Sequence, residues 1–567
     1  MQRPNVVFII CDDLAWGDLA CHGNPVPTRT PHLDAMHGAS ARLTRYCSGP
    51  LCTPARAGIM TGRWHLRTRA FDTYCGRATL DPGEPTVARM LQQAGYATGC
   101  FGKWHLGDNH PSRPMDMGFD ESVVHLAGGI GQPGDRYENH EREDASYFDP
   151  VVLRQGQVSQ SNGYCTDVFT NECLDFIERR QGASFFAYLA FNAPHSPFQI
   201  ADEWVDPYRA ANVPDTHAKV YGMVSNIDDN VGRVRARLGE LGLADNTLVV
   251  FTSDHGPCGS AQDRQAPAGE GHRWNGGLRD IKGSMYQGGI QVPSFWHWPD
   301  RISARRDIDV LATTVDVLPT LAAACEAQLP PEPGDGISLL PHLTANDASH
   351  PDRTVFMQWH RGDAPVRYRN YAAITQRWKL TRPNEGRADE LYDLPRDPRE
   401  TANVSSAHPD VVTQLREQYD IWFDDVGATR GGQTFDAPVI SLGTPLGNPV
   451  FLTQNDWRTL DGMEGWRSDD LRGYWRVSVH DEAGPFAIRV RMRQGVPAGT
   501  IHLALDEARW HEDLDAGEHV VEFTGLELPA GCSRLEAWLH TEQECTGARH
   551  GRFIPALYVE IEAAETT

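Results

Sequence analysis

The chain has 567 residues and is acidic: 76 aspartates and glutamates stand against 52 lysines and arginines, a formal net charge of −24. An acidic balance argues against a nucleic-acid partner. No apolar run reaches the length of a transmembrane helix, so we expect neither nucleic acid nor membrane as a partner.

Cysteine usage and the amino terminus bear on the cell compartment. The twelve cysteines are scattered without a CxxC pair, which argues against a zinc finger or a disulfide scaffold; if one pair forms a disulfide, we expect Cys532 and Cys545. The first apolar run, residues 6–10, is too short for the core of a signal peptide. We expect a cytoplasmic protein, or a periplasmic or secreted one if a signal peptide has been removed; the sequence indicates no oligomeric state.

The first predicted strand covers residues 6–10, an apolar run typical of a strand buried on both faces of a parallel sheet. Asp12 and Asp13 follow it directly. Two adjacent carboxylates at this place suit an oxygen-liganded hard cation, whereas a single aspartate would more often cap a helix.

A loop then leads into a predicted helix that starts at Cys52, continues over residues 55–61 and is closed by Gly62. Pro54 lies in the first turn, where proline is tolerated, and Arg56 lies one turn after Cys52. A helix N-terminus and an arginine both suit an anion, and a cysteine there would have a lowered pKa and be reactive. The alternative is a buried structural cysteine.

Two further predicted strands end in polar residues. Residues 96–101 lead to Lys103 and His105, which would face the same side if the backbone is extended. Residues 185–191 are followed by His195, which lies between two prolines. Taken one at a time, a surface lysine, a packed histidine and a loop histidine are the simpler interpretations.

The fourth strand of this kind covers residues 248–252 and precedes Asp254 and His255. A Gly-rich polar loop at 257–280 then leads to Lys282. The remaining segments are predicted as a loop-rich stretch without clear periodicity over roughly 107–163, helices over 85–93, 166–179, 221–241 and 409–423, and a strand and helix start over 310–321.

These polar strand ends are expected to meet, because ligands of open α/β sheets bind outside the carboxyl ends of the strands. Four strands that carry the same kind of residue are hard to explain as four unrelated structural roles. The carboxylates and one histidine suit a cation, and the lysines, the arginine and the other histidines suit an anion. The set predicts a metal-assisted displacement at a tetrahedral anionic centre.

Residues 52–63, which read Cys-Thr-Pro-Ala-Arg-Ala-Gly-Ile-Met-Thr-Gly-Arg, resemble the signature of the type I, formylglycine-dependent sulfatases of the alkaline phosphatase superfamily. The resemblance covers roughly residues 3–425 in the family's order. It implies an α/β fold with a large mixed, mostly parallel sheet sandwiched by helices, and a small C-terminal antiparallel sheet subdomain. Further matching segments are residues 4–7 with 12–13, 99–107, 252–256, and 391–394 with 397–398.

From about residue 431 short alternating or apolar runs separated by turn residues replace the helical patterns, which predicts a β-sandwich-like domain outside the resemblance. We therefore predict a catalytic domain at 1–345, a sulfatase C-terminal subdomain at 346–434 and an appended β-sandwich-like domain at 435–567. A binding module and a packing lid are equally consistent with the last domain.

The resemblance implies that a separate maturation enzyme oxidises Cys52 to formylglycine, whose hydrate is a geminal diol. One hydroxyl attacks sulfur, and loss of the proton from the second releases sulfate and restores the aldehyde. By position, Asp12, Asp13, Asp254, His255 and the formylglycine at Cys52 would hold one divalent cation, normally Ca²⁺.

The same resemblance assigns the anion-binding groups. Arg56 would stabilise the diol, and Lys103, His195 and Lys282 would bind the sulfate. His195 would give a proton to the leaving alcohol and His105 would assist the collapse of the intermediate. These roles agree with cations placed around an anion and with histidine as an acid near neutral pH.

Two departures from the family pattern concern the surroundings of the site. His255 stands where asparagine is frequent, and imidazole is a less typical calcium ligand, so another divalent cation stays open. The usual Tyr-Glu-Gly-Gly-Ile-Arg-Val-Pro run has Gln287 and Gln291 in place of its two charged residues, which indicates an altered support for the site.

The leading hypothesis is a sulfuric-ester hydrolase that acts on a sulfated small molecule, in particular a sulfated carbohydrate. The alternatives are a formylglycine-dependent phosphonate monoester or phosphodiester hydrolase, and a carbohydrate-binding protein whose catalytic half is vestigial. Six residues after the catalytic helix could line a sugar subsite or could simply pack and carry surface charge: Trp64, His65, Arg67, Asp72, Tyr74 and Arg77.

Overall fold

The computed structural model describes residues 3–142, 145–258, 273–345, 349, 352–460, 472–481, 483–542 and 553–564. Within these ranges the strands form one large mixed sheet, one small antiparallel sheet and two sheets in the C-terminal part of the chain. This arrangement confirms the predicted fold class. Among the same residues, no helix is long and apolar enough to cross a membrane.

The large sheet has ten strands in the described residues. They are β1 Asn5–Cys11, β2 Ala41–Cys47, β3 Ala97–Lys103, β4 Glu121–His125, β5 Val151–Arg154, β6 Gln157–Gln160, β7 Phe185–Ala190, β8 Thr247–Ser253, β9 Ser294–His297 and β10 Arg306–Thr313. Their order is β10-β2-β9-β8-β1-β7-β3-β4-β5-β6. The central run β8-β1-β7-β3-β4 is parallel, and β9, β5 and β6 pair antiparallel with their neighbours.

Helices cover both faces of this sheet. The helices of the described residues are α1 Pro31–Ala39, α2 Cys52–Thr61, α3 Val87–Gln93, α4 Tyr137–His140, α5 Cys165–Arg179, α6 Asp202–Arg209, α7 Asp215–Glu240, α8 Gln287–Ile290, α9 Val317–Ala324, α10 Leu340–Thr344 and α11 Pro409–Gly427. Strand β1 has apolar side chains on both of its faces, and both are buried by helices. Val6, Phe8 and Ile10 pack with α2, α3 and α9, whereas Val7 and Ile9 pack with α1, α5 and α7.

The small antiparallel sheet follows the large one. Its strands are β11 Val355–Gln358, β12 Tyr371–Ile374, β13 Trp378–Arg382 and β14 Glu390–Asp393. Helix α11 packs on this sheet through Leu415, Tyr419 and Trp422, and the same core reaches Trp64 in the first part of the chain. The subdomain is thereby fixed beside the helix that carries Cys52.

The C-terminal part forms two facing sheets around one core. Their order is β15-β18-β23-β20-β21 and β16-β25-β19-β22, with β17 beside β18 and β24 beside β23. Strand β18 alternates buried and half-buried residues, as expected for one apolar face. The strands are β15 Val439–Leu442, β16 Val450–Thr453, β17 Arg458–Thr459, β18 Gly473–Val479, β19 Phe486–Arg491, β20 Gly499–Leu505, β21 Ala508–Leu514, β22 Val520–Leu526, β23 Gly531–His540, β24 Phe553–Pro555 and β25 Tyr558–Ala563.

Tyr74 and Cys75, from the segment after the catalytic helix, lie in the core of these C-terminal sheets. Contacts therefore cross the boundary predicted at residue 435, and the three-domain division stays a prediction. The pairing of Cys532 also stays a prediction, because Cys545 lies outside the described residues.

The stretch over residues 107–163 that was predicted to be rich in loops also contains short elements that the sequence pattern does not show, namely β4, β5, β6 and α4. Each has only four or five residues. Segments this short are too brief to establish a period, and their pairing with the sheet edge supplies the order that the sequence pattern does not show. Residues 259–272 of the predicted Gly-rich loop lie outside the described residues.

Candidate active site

The four strands whose ends carry polar residues are neighbours in the sheet. Strand β1 lies between β8 and β7, and β3 lies on the other side of β7, all parallel. Asp12, Lys103, His195 and Asp254 therefore follow or end adjacent strands at one edge of the sheet, as predicted from sequence. The convergence is a direct consequence of parallel pairing.

Helix α2 brings Cys52 to this edge. Cys52 is the first residue of the helix, which ends where Gly62 adopts φ 65° and donates its N–H to the carbonyl of Gly58, as predicted. Gly58 allows helix α2 to pack closely against Thr314, because a Cβ at position 58 would lie only 2.4 Å from Oγ1 of Thr314. Cys52 Sγ consequently lies 3.4 Å from Oδ1 of Asp12 and 3.1 Å from Nε2 of His255.

A buried set of donor atoms next to Cys52 suits a cation. One ligand atom each from Asp12, Cys52, Asp254 and His255 lies within 4.8 Å of the others. Oδ2 of Asp13 is buried without a hydrogen-bond partner among the described residues. Carboxylates are the ligands that Ca²⁺ prefers, and an orphaned buried carboxylate oxygen is the kind of atom that a bound ion satisfies. These residues fit a divalent cation.

His255 presents one nitrogen to this set. Its Nδ1 donates to the carbonyl of Gly256 over 2.9 Å, so Nε2 faces Oδ1 of Asp254 at 3.3 Å and Oδ1 of Asp12 at 3.6 Å. Burial lowers the pKa of His255, but Asp254 and the thiol of Cys52 outweigh burial and raise it to about 9. A cation in this place would compete with that proton.

The carboxylates of Asp12 and Asp13 are also paired with two lysines. Nζ of Lys103 donates to Asp12, and Nζ of Lys282 donates to Oδ1 of Asp13 over 2.7 Å. Burial by itself would raise the pKa values of both aspartates. Lys103, His195 and Lys282 hold the pKa of Asp12 well below its usual range, and Lys282 and His195 hold the pKa of Asp13 below its usual range. These carboxylates are therefore ionised and available as ligands.

The thiol of Cys52 lies in an electropositive environment. Burial and Asp12 raise its pKa, and Lys103, Lys282 and His255 lower it to a net value of about 6. The lowered pKa agrees with the reactive cysteine predicted from the helix start. The same cations would hold an anion bound in front of residue 52.

The two remaining histidines have fixed tautomers. His195 donates from Nδ1 to the carbonyl of Ser196 over 2.6 Å, and its Nε2 lies 3.8 Å from Oδ2 of Asp13. His105 donates from Nε2 to the carbonyl of Thr73 over 2.8 Å, and its Nδ1 is buried without a hydrogen-bond partner in the described part of the chain. Burial, followed by the charge of Lys103, holds the pKa of His105 well below its usual value, so this imidazole is neutral.

The backbone is not extended at His105, so the condition under which Lys103 and His105 would face the same side is not met. His105 has φ 55°. Its N–H donates to Leu126 over 3.0 Å and its carbonyl accepts from Oγ1 of Thr53 over 3.1 Å. These tertiary hydrogen bonds stabilise a turn that a local pattern does not indicate.

A cavity of about 210 Å³ opens in front of Cys52. It is lined by Leu51, Cys52, Thr73, Tyr74, His105, Gly128, Gln132, Pro133, His195, Ser196, Cys258, Lys282, Arg361 and Asn455. Four candidate catalytic residues thus share one concave site. A separate cavity of about 290 Å³, between the β4–β5 region and residues 445–453, contains none of them.

Known proteins provide a comparison for this geometry. The family model described as Sulfatase matches residues 4–327, which is more than half of the chain. The chain belongs to the sulfatase family. A second model, described as N-sulphoglucosamine sulphohydrolase, C-terminal, matches residues 275–421. Sulfatases are sulfuric-ester hydrolases of the alkaline phosphatase superfamily, so this chain is one too.

Individual sulfatases share much of the chain. The N-acetylgalactosamine-6-sulfatase of Canis lupus familiaris is 30% identical over 392 residues, covering 64% of this chain and 69% of the relative. The N-acetylgalactosamine-6-O-sulfatase of Bacteroides thetaiotaomicron is 27% identical over 488 residues, covering 73% and 92%. The crystal structure of Ps i-CgsB in complex with k-i-k-neocarrahexaose has a TM-score of 0.67 at 26% identity, covering 76% of this chain and 94% of that one.

The sulfatase family in general implies a divalent metal and a formylglycine, and the donor set beside Cys52 is a possible buried metal site in this chain. A second cluster of metal-ligating residues, Cys21, His22 and His37, is half-buried. There, Nη1 of Arg42 lies 3.3 Å from Nδ1 of His37, and a guanidinium at that distance opposes a cation. The cluster beside Cys52 is the better metal site.

The two glutamines of the altered motif belong to a buried network in this sulfatase. Oε1 of Gln287 accepts from Nζ of Lys379 over 3.1 Å, and Nε2 of Gln287 donates to Gln291 over 2.9 Å. Lys379 is also paired with Glu400 over 2.7 Å, with both side chains fully buried. The network satisfies these groups without a charge at 287 or 291.

Five of the six residues considered for a sugar subsite do not line the cavity, and three of these five make contacts elsewhere. Trp64 packs edge-on against Trp422, His65 faces the carbonyl of Gln358, and Arg67 pairs with Asp335. Their role is to hold the small antiparallel subdomain and the segments around it in place. The remaining three are on the cavity wall or directly behind it: Tyr74 lines the cavity, and Asp72 and Arg77 form a fully buried ion pair.

Gln132, Arg361 and Asn455 line the cavity, and the sequence did not single them out. None of them follows a strand of the large sheet, which was the signal that marked the other site residues. Asn455 comes from the C-terminal sheets and is held by hydrogen bonds from its Nδ2 to Asp108 over 3.2 Å and to the carbonyl of Gly134 over 3.4 Å. The C-terminal part of the chain therefore contributes to the wall of the site.

Proposed function

We propose that this sulfatase removes a sulfate ester from a sulfated carbohydrate, by means of a formylglycine formed from Cys52 by a separate maturation enzyme and one bound Ca²⁺ ion. The observation that carries the proposal is the convergence of three buried carboxylates, two lysines, one arginine and three histidines around the first residue of α2. The names of the matched relatives, N-acetylgalactosamine-6-sulfatases, support a sugar substrate.

Asp12, Asp13, Asp254 and His255 would hold the cation, together with the modified residue 52. When bound, the ion supplies positive charge that stabilises negative oxygen atoms at the reacting centre. The orphaned oxygen of Asp13 supports this assignment. His255 in place of an oxygen ligand makes another divalent cation the first alternative to test.

The lysines and Arg56 supply the fixed positive charge. Lys103 and Lys282 border the position of residue 52 and would bind the sulfate oxygens, which carry more negative charge as the S–O bond breaks. Arg56 lies one helical turn after residue 52 and would stabilise the diol. All three side chains are positioned by aspartates, so little reorganisation is needed during the reaction.

The histidines would move protons. His195 lines the cavity and its Nδ1 is held by the carbonyl of Ser196, so in the protonated imidazole Nε2 is the nitrogen that can give a proton to the departing sugar oxygen. His105 is neutral and its Nδ1 carries a lone pair. It is suited to accept a proton when sulfate is released from residue 52.

The first test is the mass of the tryptic peptide that contains Cys52. Oxidation of the thiol to the aldehyde lowers the mass by about 18 Da. Protein with the aldehyde should then release sulfate from sulfated monosaccharides faster than phosphate from matched phosphate esters, and Cys52→Ala should release none. Aldehyde-bearing protein that cleaves phosphonate monoesters or phosphodiesters in preference to every sulfate ester would contradict the proposal.

A further inference from the structure

Arg361 lies on the wall of the cavity that contains Cys52, in the segment between strands β11 and β12. Its guanidinium carbon is 4.3 Å from the centre of the Tyr74 ring and 4.9 Å from that of Trp359. The side chain is 29% exposed. Two aromatic rings thus hold a partly exposed cation in the cavity that contains Cys52.

The surroundings leave this cation only partly neutralised. Asp72 accepts from Arg361 through one oxygen and from Nη1 of Arg77 through the other, at 3.2 Å. Asp363 accepts from Nη2 of Arg77 at 2.7 Å and from Nη1 of Arg458 at 3.2 Å. Three guanidinium groups therefore share two carboxylates, which leaves one positive charge in excess, and Arg361 is the member of the group that lines the cavity.

One edge of the Arg361 guanidinium is open. Nη1 donates to Asp72 and to Oγ1 of Thr73, the latter over 3.0 Å. Nε and Nη2 donate to no partner within the described part of the chain. The N–H groups on these two nitrogens form the side-on fork of arginine, whose geometry matches two oxygens of one carboxylate or sulfate group.

From these observations we infer that Arg361 is a specificity-determining residue that binds a second anionic group of the substrate, beside the sulfate that is cleaved. The group is a carboxylate or a further sulfate on the same saccharide, since both present two oxygens to the open fork. The inference rests on the proposed function and deepens it, because it selects acidic saccharides among the sulfated carbohydrates. Tyr74 would support this subsite by holding the guanidinium in place.

The test compares saccharides that differ by one anionic group. N-acetylgalactosamine 6-sulfate is compared with its 4,6-disulfate, and a hexuronate disaccharide of N-acetylgalactosamine 6-sulfate is compared with its neutral hexose counterpart. The ratio of kcat/KM values within each pair is measured for the wild type, Arg361→Gln, Arg361→Lys and the control Arg396→Gln. Arg396 is 81% exposed and does not line the cavity.

We expect the wild type to prefer the more anionic member of at least one pair, which identifies the group as sulfate or carboxylate. In Arg361→Gln that preference should fall by about 10- to 100-fold, mainly through KM, the range for a lost hydrogen bond between charged groups. Arg361→Lys keeps the charge but not the fork and should lose less. Arg396→Gln should keep the wild-type ratio.

A wild type without preference in either pair, or an Arg361→Gln variant that keeps the preference, would overturn the inference. Calorimetric binding of the disulfated sugar and the uronate disaccharide separates this failure from failure of the proposed function. Aldehyde-bearing protein that releases no sulfate refutes the proposed function, yet a 10- to 100-fold weaker Kd in Arg361→Gln still supports the anion site. Equal Kd values for wild type and variant refute the site independently of turnover.

Discussion

Arg56 donates from both Nε and Nη2 to a single oxygen of Asp254, Oδ2, over 3.1 and 2.9 Å, and neither side chain is exposed. The other oxygen of Asp254 remains directed to His255. Nη1 of Arg56 donates to the carbonyl of Lys103 over 3.2 Å. One guanidinium thus ties the catalytic helix to the ends of β8 and β3 and leaves Oδ1 of Asp254 available to a cation.

The ion pair of Arg56 and Asp254 is expected to stabilise the fold. Burial and the charge of Asp12 already raise the pKa of Asp254 to about 6, so removal of its counter-charge should be costly. We expect Arg56→Ala to lower the free energy of unfolding by about 3–5 kcal/mol, because it leaves a buried carboxylate unpaired. The measurement is urea denaturation in the presence of a chelator, with Arg396→Ala as an exposed control. The double variant Arg56→Ala, Asp254→Asn should recover part of the stability that Arg56→Ala loses. If Arg56→Ala alone lowers the free energy of unfolding by less than about 1 kcal/mol, the ion pair contributes little to stability.

Metal binding should be measurable without turnover. We expect Ca²⁺ to raise the unfolding midpoint of the wild type, since a ligand at 100 times its Kd stabilises the folded state by about 2.7 kcal/mol. Asp13→Asn should weaken this effect, because one oxygen of Asp13 is buried without a hydrogen-bond partner among the residues that the structure describes, whereas the exposed Asp307→Asn should not. Calorimetric unfolding with Ca²⁺, Mg²⁺, Mn²⁺ and Zn²⁺ identifies the preferred ion. Equal midpoint shifts in wild type and Asp13→Asn would remove Asp13 from the ligand set.

The core of the site was predictable because each residue follows a simple rule. Asp12 and Asp254 come directly after apolar strands, Lys103 ends one, and parallel pairing then brings these ends together. The helix at Cys52 was predictable from Pro54 near its start and Gly62 at its end. These features depend on residues that are neighbours in the sequence, so a single sequence was enough to predict them.

The features of the site that the sequence did not predict depend on tertiary contacts. The positive φ of His105 is stabilised by hydrogen bonds to Leu126 and Thr53, and no local signal marks it. Arg361 and Asn455 reach the cavity from distant segments through packing of the small antiparallel sheet and the C-terminal sheets. A sequence pattern shows which residues share an element, but not which distant loops meet at one cavity.

The proposed acid role of His195 predicts a dependence on the leaving group. We expect His195→Asn to lower kcat for a sugar sulfate by about 10²–10⁴-fold, the usual contribution of a general acid. The loss should be smaller for p-nitrophenyl sulfate, whose leaving group needs less help from a proton. Steady-state kinetics on both substrates measures the difference, with the exposed His511→Gln as control. Equal losses on the two substrates would assign His195 to sulfate binding instead of proton transfer.

The attachment of the C-terminal sheets should depend on pH. Burial, with a further contribution from the charge of Asp135, raises the pKa of Asp108 to about 7, and burial together with Asp108 raises that of Asp456 well above its usual value. A carboxyl whose folded pKa lies above its unfolded value stabilises the fold fully below about pH 4 and loses that contribution as pH rises through about 7. The protonated form of Asp108 belongs to the same contacts that hold Asn455 at the cavity.

Asp108→Asn keeps an oxygen that accepts from Asn455 but removes the titration. We therefore expect the unfolding free energy of Asp108→Asn, relative to that of the wild type, to increase from pH 5 to pH 7 by up to about 1.4 kcal/mol per pH unit. Taking the difference between variant and wild type at each pH cancels the titrating groups that do not interact with Asp108. Urea denaturation at pH 5, 6, 7 and 8 measures it, with Asp309→Asn as a 73%-exposed control that should give a constant difference. A constant difference for Asp108→Asn as well would mean that Asp108 is ionised throughout this range and that the attachment of the C-terminal sheets does not depend on its proton.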